Sequence, residues 1–321
     1  MMNTGAELQV AVVGVGLIGR AWTITFARAG RQVRLWDPDT EACSRAKDFI
    51  ATVLNDLMEN DLLGGRQPAE VLTLITACAT LEEALDGTGW VQECGPEKIE
   101  AKRALFARLD ELSHPDTILA SSSSALLPSA ISEGLKGRHR CLVAHPINPP
   151  YLIPAAEVVP ASWTSPEVMK KAEAFLTGIG QVPIMMKKEV DGFIMNRLQG
   201  ALLEEAFRLV ANGYASAEDV DRGIADGLAL RWSFIGPFET IDLNAPGGIA
   251  DYVERYQPMY SGMFEQMRER VDWEGPVLGD VLESRRRLLP ESDLANRQVW
   301  RDRRLMRLRA HKSKVDKELS R

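Results

Sequence analysis

Apolar and polar positions along this chain follow two alternating periods. Residues 8–13 form an apolar run of strand length, and residues 20–30 then show helical spacing that Gly30 ends. Residues 32–36 return to a strand-like run. A long helix is predicted over residues 40–63, with weaker strands at 74–76 and 90–93. A charged helix follows over 97–112, then strands at 117–120, 141–144 and 156–159. Strands that alternate with helices pack as a mostly parallel, doubly wound sheet covered on both faces. From about residue 189 the pattern changes and stays helical to residue 210, over roughly five turns. Ser216 or a neighbour then caps a further helix over 217–228.

The junction of the first strand and helix reads Gly14-Val15-Gly16-Leu17-Ile18-Gly19, and Asp37 ends the second strand. Gly14 permits a tight turn, Gly16 lets a pyrophosphate approach the backbone, and Gly19 lets the helix pack closely on the sheet. The helix start at Leu17 and Ile18 offers unpaired N–H groups and a positive dipole end to phosphates. Asp37 can accept hydrogen bonds from ribose hydroxyls, and its charge repels a 2′-phosphate, which favours NAD over NADP. FAD also uses such a turn, but the residues further along favour NAD. The ordered combination of strand, turn, helix, strand and acid makes the signal specific. The fold class is therefore α/β: a Rossmann-type doubly wound N-terminal domain over residues 1–188, then a mainly α-helical domain for substrate and dimerisation over 189–321.

Two strand ends carry candidate chemistry. Ala120 is followed by four serines, Ser121 to Ser124; most of a run like this serves as polar loop or helix cap. Ala144 is followed by His145, which opens a thirteen-residue segment ending at Glu157 and holding Asn148 and four prolines. Proline fixes φ and removes donors, so the segment is stiff. Imidazole titrates near neutrality and suits proton transfer.

Composition narrows the remaining classes. A net charge of −7 argues against nucleic acid or anionic membrane as a partner, and no apolar run approaches membrane-spanning length. Cys43, Cys78, Cys94 and Cys141 lack metal-ligand or CxxC spacing, so no metal is expected and a reducing compartment is. The first nine residues have neither a basic start nor an apolar stretch; no signal peptide and a cytoplasmic location are expected. The basic, amphipathic tail over 298–321 fits a packed or solvated terminal helix better than a nucleic-acid or membrane contact.

The glycine turn, Asp37, the stretch Glu97 to Lys102, the serine run, His145 with Asn148, Glu157, and Asp191 through Asn196 to Arg197 occur in one order. In these the chain resembles the 3-hydroxyacyl-CoA dehydrogenase family. Within it, residues 144–151, 227–239, 243–245 and 299–303 liken the chain to the branch acting on a free hydroxy acid, L-gulonate, whereas Ala125, Pro246 and Gly247 fall outside the match. The resemblance implies NAD-dependent oxidation of a 3-hydroxy acid to the 3-keto acid by a homodimer. It makes His145 the general base, oriented by Glu157, with Ser124 and Asn196 bonded to the reacting oxygen. Since Asn196 belongs to the second domain, the site is expected in the interdomain cleft. Glu97, Lys102, Ser124 and Asn148 match cofactor-contacting positions, although Glu97 and Lys102 also suit a pair on a helix surface. Arg231 is the candidate clamp for a substrate carboxylate, because an arginine fork binds carboxylates in bidentate fashion; a surface or structural arginine is the alternative.

Two other functions compete. One is dehydrogenation of 3-hydroxyacyl-CoA, such as 3-hydroxybutyryl-CoA, or of L-carnitine, whose quaternary ammonium calls for aromatic neighbours that Trp232 and Phe234 could supply. The other is a non-catalytic structural or NAD-sensing protein, against which the intact set Ser124, His145, Glu157 and Asn196 argues.

Overall fold

The computed structural model describes residues 8–319. The first seven residues, which carry most of the signal-peptide reading, and the last two of the basic tail lie outside them. Two compact units make up the chain. One takes in the described residues up to Met195 and those from Val299 on; the other is Asn196–Gln298. The apolar pattern of the sequence predicts a single boundary near residue 188.

The first unit is built on an eight-stranded sheet of order β3-β2-β1-β4-β5-β6-β7-β8. The strands are β1 (Gln9–Val13), β2 (Val33–Trp36), β3 (Ile75–Ala77), β4 (Thr88–Glu93), β5 (Ile118–Ser121), β6 (Cys141–Pro146), β7 (Ala155–Pro160) and β8 (Val182–Met185). Every neighbouring pair is parallel except β6 and β7, which run antiparallel. The helices between them are α1 (Leu17–Arg28), α2 (Ala42–Glu59), α3 (Pro68–Thr73), α4 (Leu81–Leu85), α5 (Ile99–Leu112), α6 (Pro128–Ser132) and α7 (Pro166–Gly178).

Both faces of the sheet are covered, and strand alternation sorts the core into two layers. Val10 and Val12 of β1 join Trp22, Phe26 and Phe175 on one face; Ala11 and Val13 join Phe106 and Leu109 on the other. Trp90 of β4 stacks on Phe175 with ring centroids 4.6 Å apart. Truncating one of these buried aromatics costs about 3–5 kcal/mol, so this layer holds the sheet that carries the site. Helix α1 ends where Gly30 adopts φ +84°, and the Gly30 and Arg31 N–H groups close the turn on Ala27 and Phe26 carbonyls.

The second unit is helical: α8 (Met195–Ala211) enters it, followed by α9 (Ala217–Arg222), a π-helical turn (Gly223–Leu228), α10 (Ala229–Trp232), α11 (Pro237–Leu243), α12 (Gly248–Gln266) and α13 (Pro276–Leu288). Ser216 caps α9 by accepting the Asp219 N–H. Among the described residues of this unit only Ile235 and Val277 are buried apolar side chains, whereas Leu198, Phe234, Phe238 and Leu243 are each more than 60% exposed.

The basic tail is the last helix, α14 (Leu294–Glu318). From Val299 on it groups with the first unit: Met306 is buried, Asn60 Nδ2 lies 4.0 Å from its sulfur, and Arg303 pairs with Asp56 at 3.4 Å. Among the described residues, no helix is long and apolar enough to cross a membrane.

Candidate active site

The parallel strands β1 to β6 end on one edge, so the residues after them converge there. Between β1 and β4 the strand order reverses, and the glycine turn sits at that point. Its backbone is tied on both sides: the Gly14 N–H donates to Trp36 O (2.8 Å), and the Cys94 N–H to Val13 O (2.7 Å).

Each glycine has a separate physical reason. Gly14 has φ +89°, and a Cβ there would lie 2.9 Å from the Cys94 carbonyl carbon and oxygen. At Gly19 a Cβ would fall 1.9 Å from the Gly14 oxygen. A Cβ on Gly16 would meet nothing within 4 Å, which leaves open space beside an exposed backbone. No side chain caps α1, so the N–H groups of its first turn, at Leu17 and Ile18, are left for an anion. Asp37 accepts the Val15 N–H (2.8 Å) on one oxygen and the Asp39 N–H (3.0 Å) on the other, which fixes its carboxylate beside the turn. This cradle fits a dinucleotide pyrophosphate and ribose.

Antiparallel pairing of β6 and β7 puts His145 directly opposite Glu157. Imidazole Nδ1 lies 2.7 Å from Glu157 Oε2, with both residues buried. The other carboxylate oxygen, Oε1, accepts the N–H groups of Ile194 (2.7 Å) and Met195 (2.9 Å), where α8 begins. Burial alone would push the Glu157 carboxyl up. The hydrogen bonds from His145, Met195 and Ile194 outweigh that and hold it below the usual glutamate range. The buried ring of Phe193 lies 5.6 Å from the imidazole, centroid to centroid.

Glu97 gathers the serine loop. One of its oxygens accepts the Ser123 hydroxyl and the N–H groups of Ser124 (2.9 Å) and Ala125 (3.0 Å). Desolvation raises its carboxyl, but these bonds and Lys102 outweigh that and hold it below the ordinary value. Lys102 is not on a helix surface. It is 2% exposed and donates to both oxygens of fully buried Glu93 at 2.9 Å, with Glu97 farther away at 3.4 Å. Ser121 also donates to Glu93, at 2.6 Å. Sequence reasoning missed Glu93, and also Gln92, which donates to Ser122 Oγ (2.8 Å) and reaches the Ala144 carbonyl (3.4 Å) just before His145. An acid and an amide ending a strand at the switch point were the available signal.

The structure thus brings His145 together with Glu157, Asp37 with the glycine turn, and Glu97 with Ser124. Asn148 lies half-buried, three residues past His145, and precedes a cis bond to Pro149. Asn196 stands in the first turn of α8, next to Met195. Arg231, on α10 in the second unit, has Nη1 3.4 Å from Asn244 Oδ1. Among the described residues no group of His, Cys, Asp and Glu could hold a metal ion.

Comparison with known proteins agrees with this geometry. Residues 9–190 match the 3-hydroxyacyl-CoA dehydrogenase NAD binding domain, and residues 192–275 match the 3-hydroxyacyl-CoA dehydrogenase C-terminal domain. Lambda-crystallin of Oryctolagus cuniculus is 40% identical over 96% of this chain and 97% of its own length. An L-carnitine dehydrogenase of Streptomyces griseus subsp. griseus is 39% identical over 78% of this chain and 74% of its own. Among solved structures, an NAD+-dependent 5-formyl-3-hydroxy-2-methylpyridine 4-carboxylic acid 5-dehydrogenase superposes with a TM-score of 0.80 at 28% identity, covering 94% of this chain and 97% of that one. The 3-hydroxybutyryl-CoA dehydrogenase of Escherichia coli gives 0.66 at 29%, over 74% of this chain and 49% of that one. The cofactor is NAD. With matches across both its units, this NAD-dependent oxidoreductase belongs to the 3-hydroxyacyl-CoA dehydrogenase family.

Proposed function

We propose that the protein oxidises the 3-hydroxyl of a small free hydroxy acid, of the L-gulonate kind, to the 3-keto acid. The observation that carries the oxidation chemistry is the 2.7 Å contact between His145 Nδ1 and Glu157 Oε2, with the remaining Glu157 oxygen held by two backbone amides. A carboxylate fixed in this way keeps the proton of a neutral imidazole on Nδ1. Nε2 is then a lone-pair acceptor, the form a general base needs.

Bound NAD+ supplies the acceptor for the hydride that leaves C3. His145 Nε2 takes the proton of the 3-hydroxyl as the C–O bond becomes a carbonyl, and Glu157 stabilises the imidazolium that results. Ser124 and Asn196 donate hydrogen bonds to the reacting oxygen; one such donor is worth about 2.7–4 kcal/mol in the transition state. Gly14, Gly16, Leu17, Ile18, Gly19 and Asp37 hold the cofactor. Asn148 and Glu97 serve its nicotinamide side, Glu97 through the Ser123–Ala125 backbone that it fixes, and the buried Lys102 acts only indirectly, through its ion pair with Glu97.

Arg231 binds the substrate carboxylate, a group that an acyl-CoA thioester lacks. Its Nη1 lies 3.4 Å from the neutral amide oxygen of Asn244, a contact that leaves its charge uncompensated. The exposed apolar side chains of the second unit support a homodimer that covers them. The four cysteines are free thiols, which suits the cytoplasm.

A panel of L-gulonate, L-3-hydroxybutyrate, 3-hydroxybutyryl-CoA and L-carnitine with NAD+ tests the substrate. Turnover led by a free hydroxy acid is expected; turnover led by the CoA ester or by carnitine refutes the assignment. His145→Asn is expected to lower kcat by about 10²–10⁴. Unchanged NADH formation in that variant removes the catalytic reading.

A further inference from the structure

The loop after β2 carries a charge arrangement beyond Asp37. The Asp39 N–H donates to Asp37 Oδ1 (3.0 Å), and Asp39 Oδ1 accepts the Glu41 N–H (3.0 Å). Its second oxygen, Oδ2, lies 2.5 Å from Arg45 Nη2, while Glu41 Oε2 lies 3.9 Å from Arg45 Nη1. Arg45, near the start of α2, therefore reaches back to the loop that presents the ribose-binding acid, and two carboxylates engage it. The pair is well exposed, at 62% for Arg45 and 52% for Asp39, so it contributes little to stability. Its consequence concerns what approaches the loop.

A ribose 2′-phosphate carries close to two negative charges at neutral pH and is accepted in dinucleotide folds by a nearby arginine. Arg45 is the right chemical group, on the first turn of the helix that follows the loop, but its fork is turned onto Asp39. Asp37 repels the phosphate, and Asp39 removes the cation that could compensate. The two acids act on the same discrimination by different means, one by repulsion and one by sequestration.

We propose that Asp39 is a specificity-determining residue: by pairing with Arg45 it withholds the guanidinium from the ribose 2′ position and so enforces NAD over NADP. Losing the pair then turns Arg45 into a phosphate ligand with no change to the glycine turn. Asn is the informative replacement at Asp39, because its side-chain oxygen still accepts the Glu41 N–H and preserves the loop turn.

The test is calorimetric titration of the full chain with 5′-ADP and 2′,5′-ADP at low salt, which reads binding rather than turnover. Asp39→Asn is measured alone and in an Asp37→Ser background, where direct repulsion is gone. The ratio of the two dissociation constants is expected to shift toward 2′,5′-ADP by about fivefold or more in at least the Asp37→Ser background, a gain at the upper end for one exposed ion pair. Adding Arg45→Ala is expected to abolish the shift, and raised salt to shrink it. A shift below about fivefold in both backgrounds overturns the proposal, as does a shift that survives Arg45→Ala, since simple loss of negative charge then accounts for it. Far-UV circular dichroism of each variant confirms that the compared proteins are folded.

Discussion

His145 and Glu157 meet across the only antiparallel strand pair of the described sheet, Nδ1 against Oε2 at 2.7 Å. The antiparallel register places them directly opposite, whereas a slip of one residue would turn one of them to the other face. The eleven residues between them are the stiff, proline-rich connection.

Glu157→Gln tests what the carboxylate does beyond occupying space. The amide oxygen would remain the better partner for the Ile194 and Met195 N–H groups, which turns its NH2 toward Nδ1. Nδ1 would then have to accept, Nε2 would carry the proton, and His145 could no longer act as base. By analogy with a carboxylate-to-amide change beside a catalytic histidine, kcat is expected to fall about 10³–10⁴-fold with little change in KM. Steady-state kinetics that show less than a tenfold loss remove the orienting role.

Acid stability follows from the same carboxylate and from Glu97, since both are held below the ordinary glutamate range. A carboxyl with a depressed folded-state value contributes stability that is present above its unfolded value, near 4.5, and lost as pH falls through the lower folded value. The stability gap between wild type and Glu97→Gln should therefore be full at pH 6 and close progressively below about pH 4.5. Urea titrations at pH 6, 4.5 and 3 measure it; a gap that widens on acidification contradicts the sign.

Gly16→Ala and Gly19→Ala should fail in different ways. At Gly19 the new methyl would sit 1.9 Å from a backbone oxygen, so the turn itself must move. A loss of about 1–3 kcal/mol of stability is expected, visible as a lower Tm. At Gly16 the methyl enters open space, so Tm should stay near wild type while NADH affinity drops. Equal Tm values for the two variants would contradict the packing argument.

Lys102→Met strands the fully buried Glu93 carboxylate without its cation. Breaking a buried pair from one side costs about 3–5 kcal/mol. Glu93→Gln combined with Lys102→Met should recover much of that loss in chemical denaturation, because no unpaired charge remains. A double variant as unstable as the sum of the singles argues against the pair.

Arg231→Ala should raise KM for a free hydroxy acid by about ten- to a hundredfold, the range for one lost charged hydrogen-bonding partner. KM for a CoA ester should not change. An unmoved KM for the free acid discards the carboxylate clamp.

Local chemistry was legible in the chain, and long-range packing was not. The glycine turn with Asp37 announced itself because each residue type answers a backbone constraint a few residues away. The strands over 90–93, 117–120, 141–144 and 156–159 show as apolar runs and recur in β4 to β7, the second of them shifted by one residue. Strand β8 escaped notice because Pro183 interrupts it, which an edge strand tolerates and a central one does not. Helix α7 also went unread, although Ser165 and Pro166 are ordinary start signals. Lys102 reads in the sequence as a cofactor contact or as half of a helix-surface pair; its partner Glu93 comes from a different element, and helix periodicity cannot show that. The return of the terminal helix to the first unit was equally hidden, since Arg303 meets Asp56 across 247 positions.

That return has a consequence for biosynthesis. Met306 completes a core whose other members are almost all encoded before residue 195. A ribosome exposes the nucleotide-binding half early, yet that half must wait, with its docking site for α14 uncovered, until the helical unit has been translated.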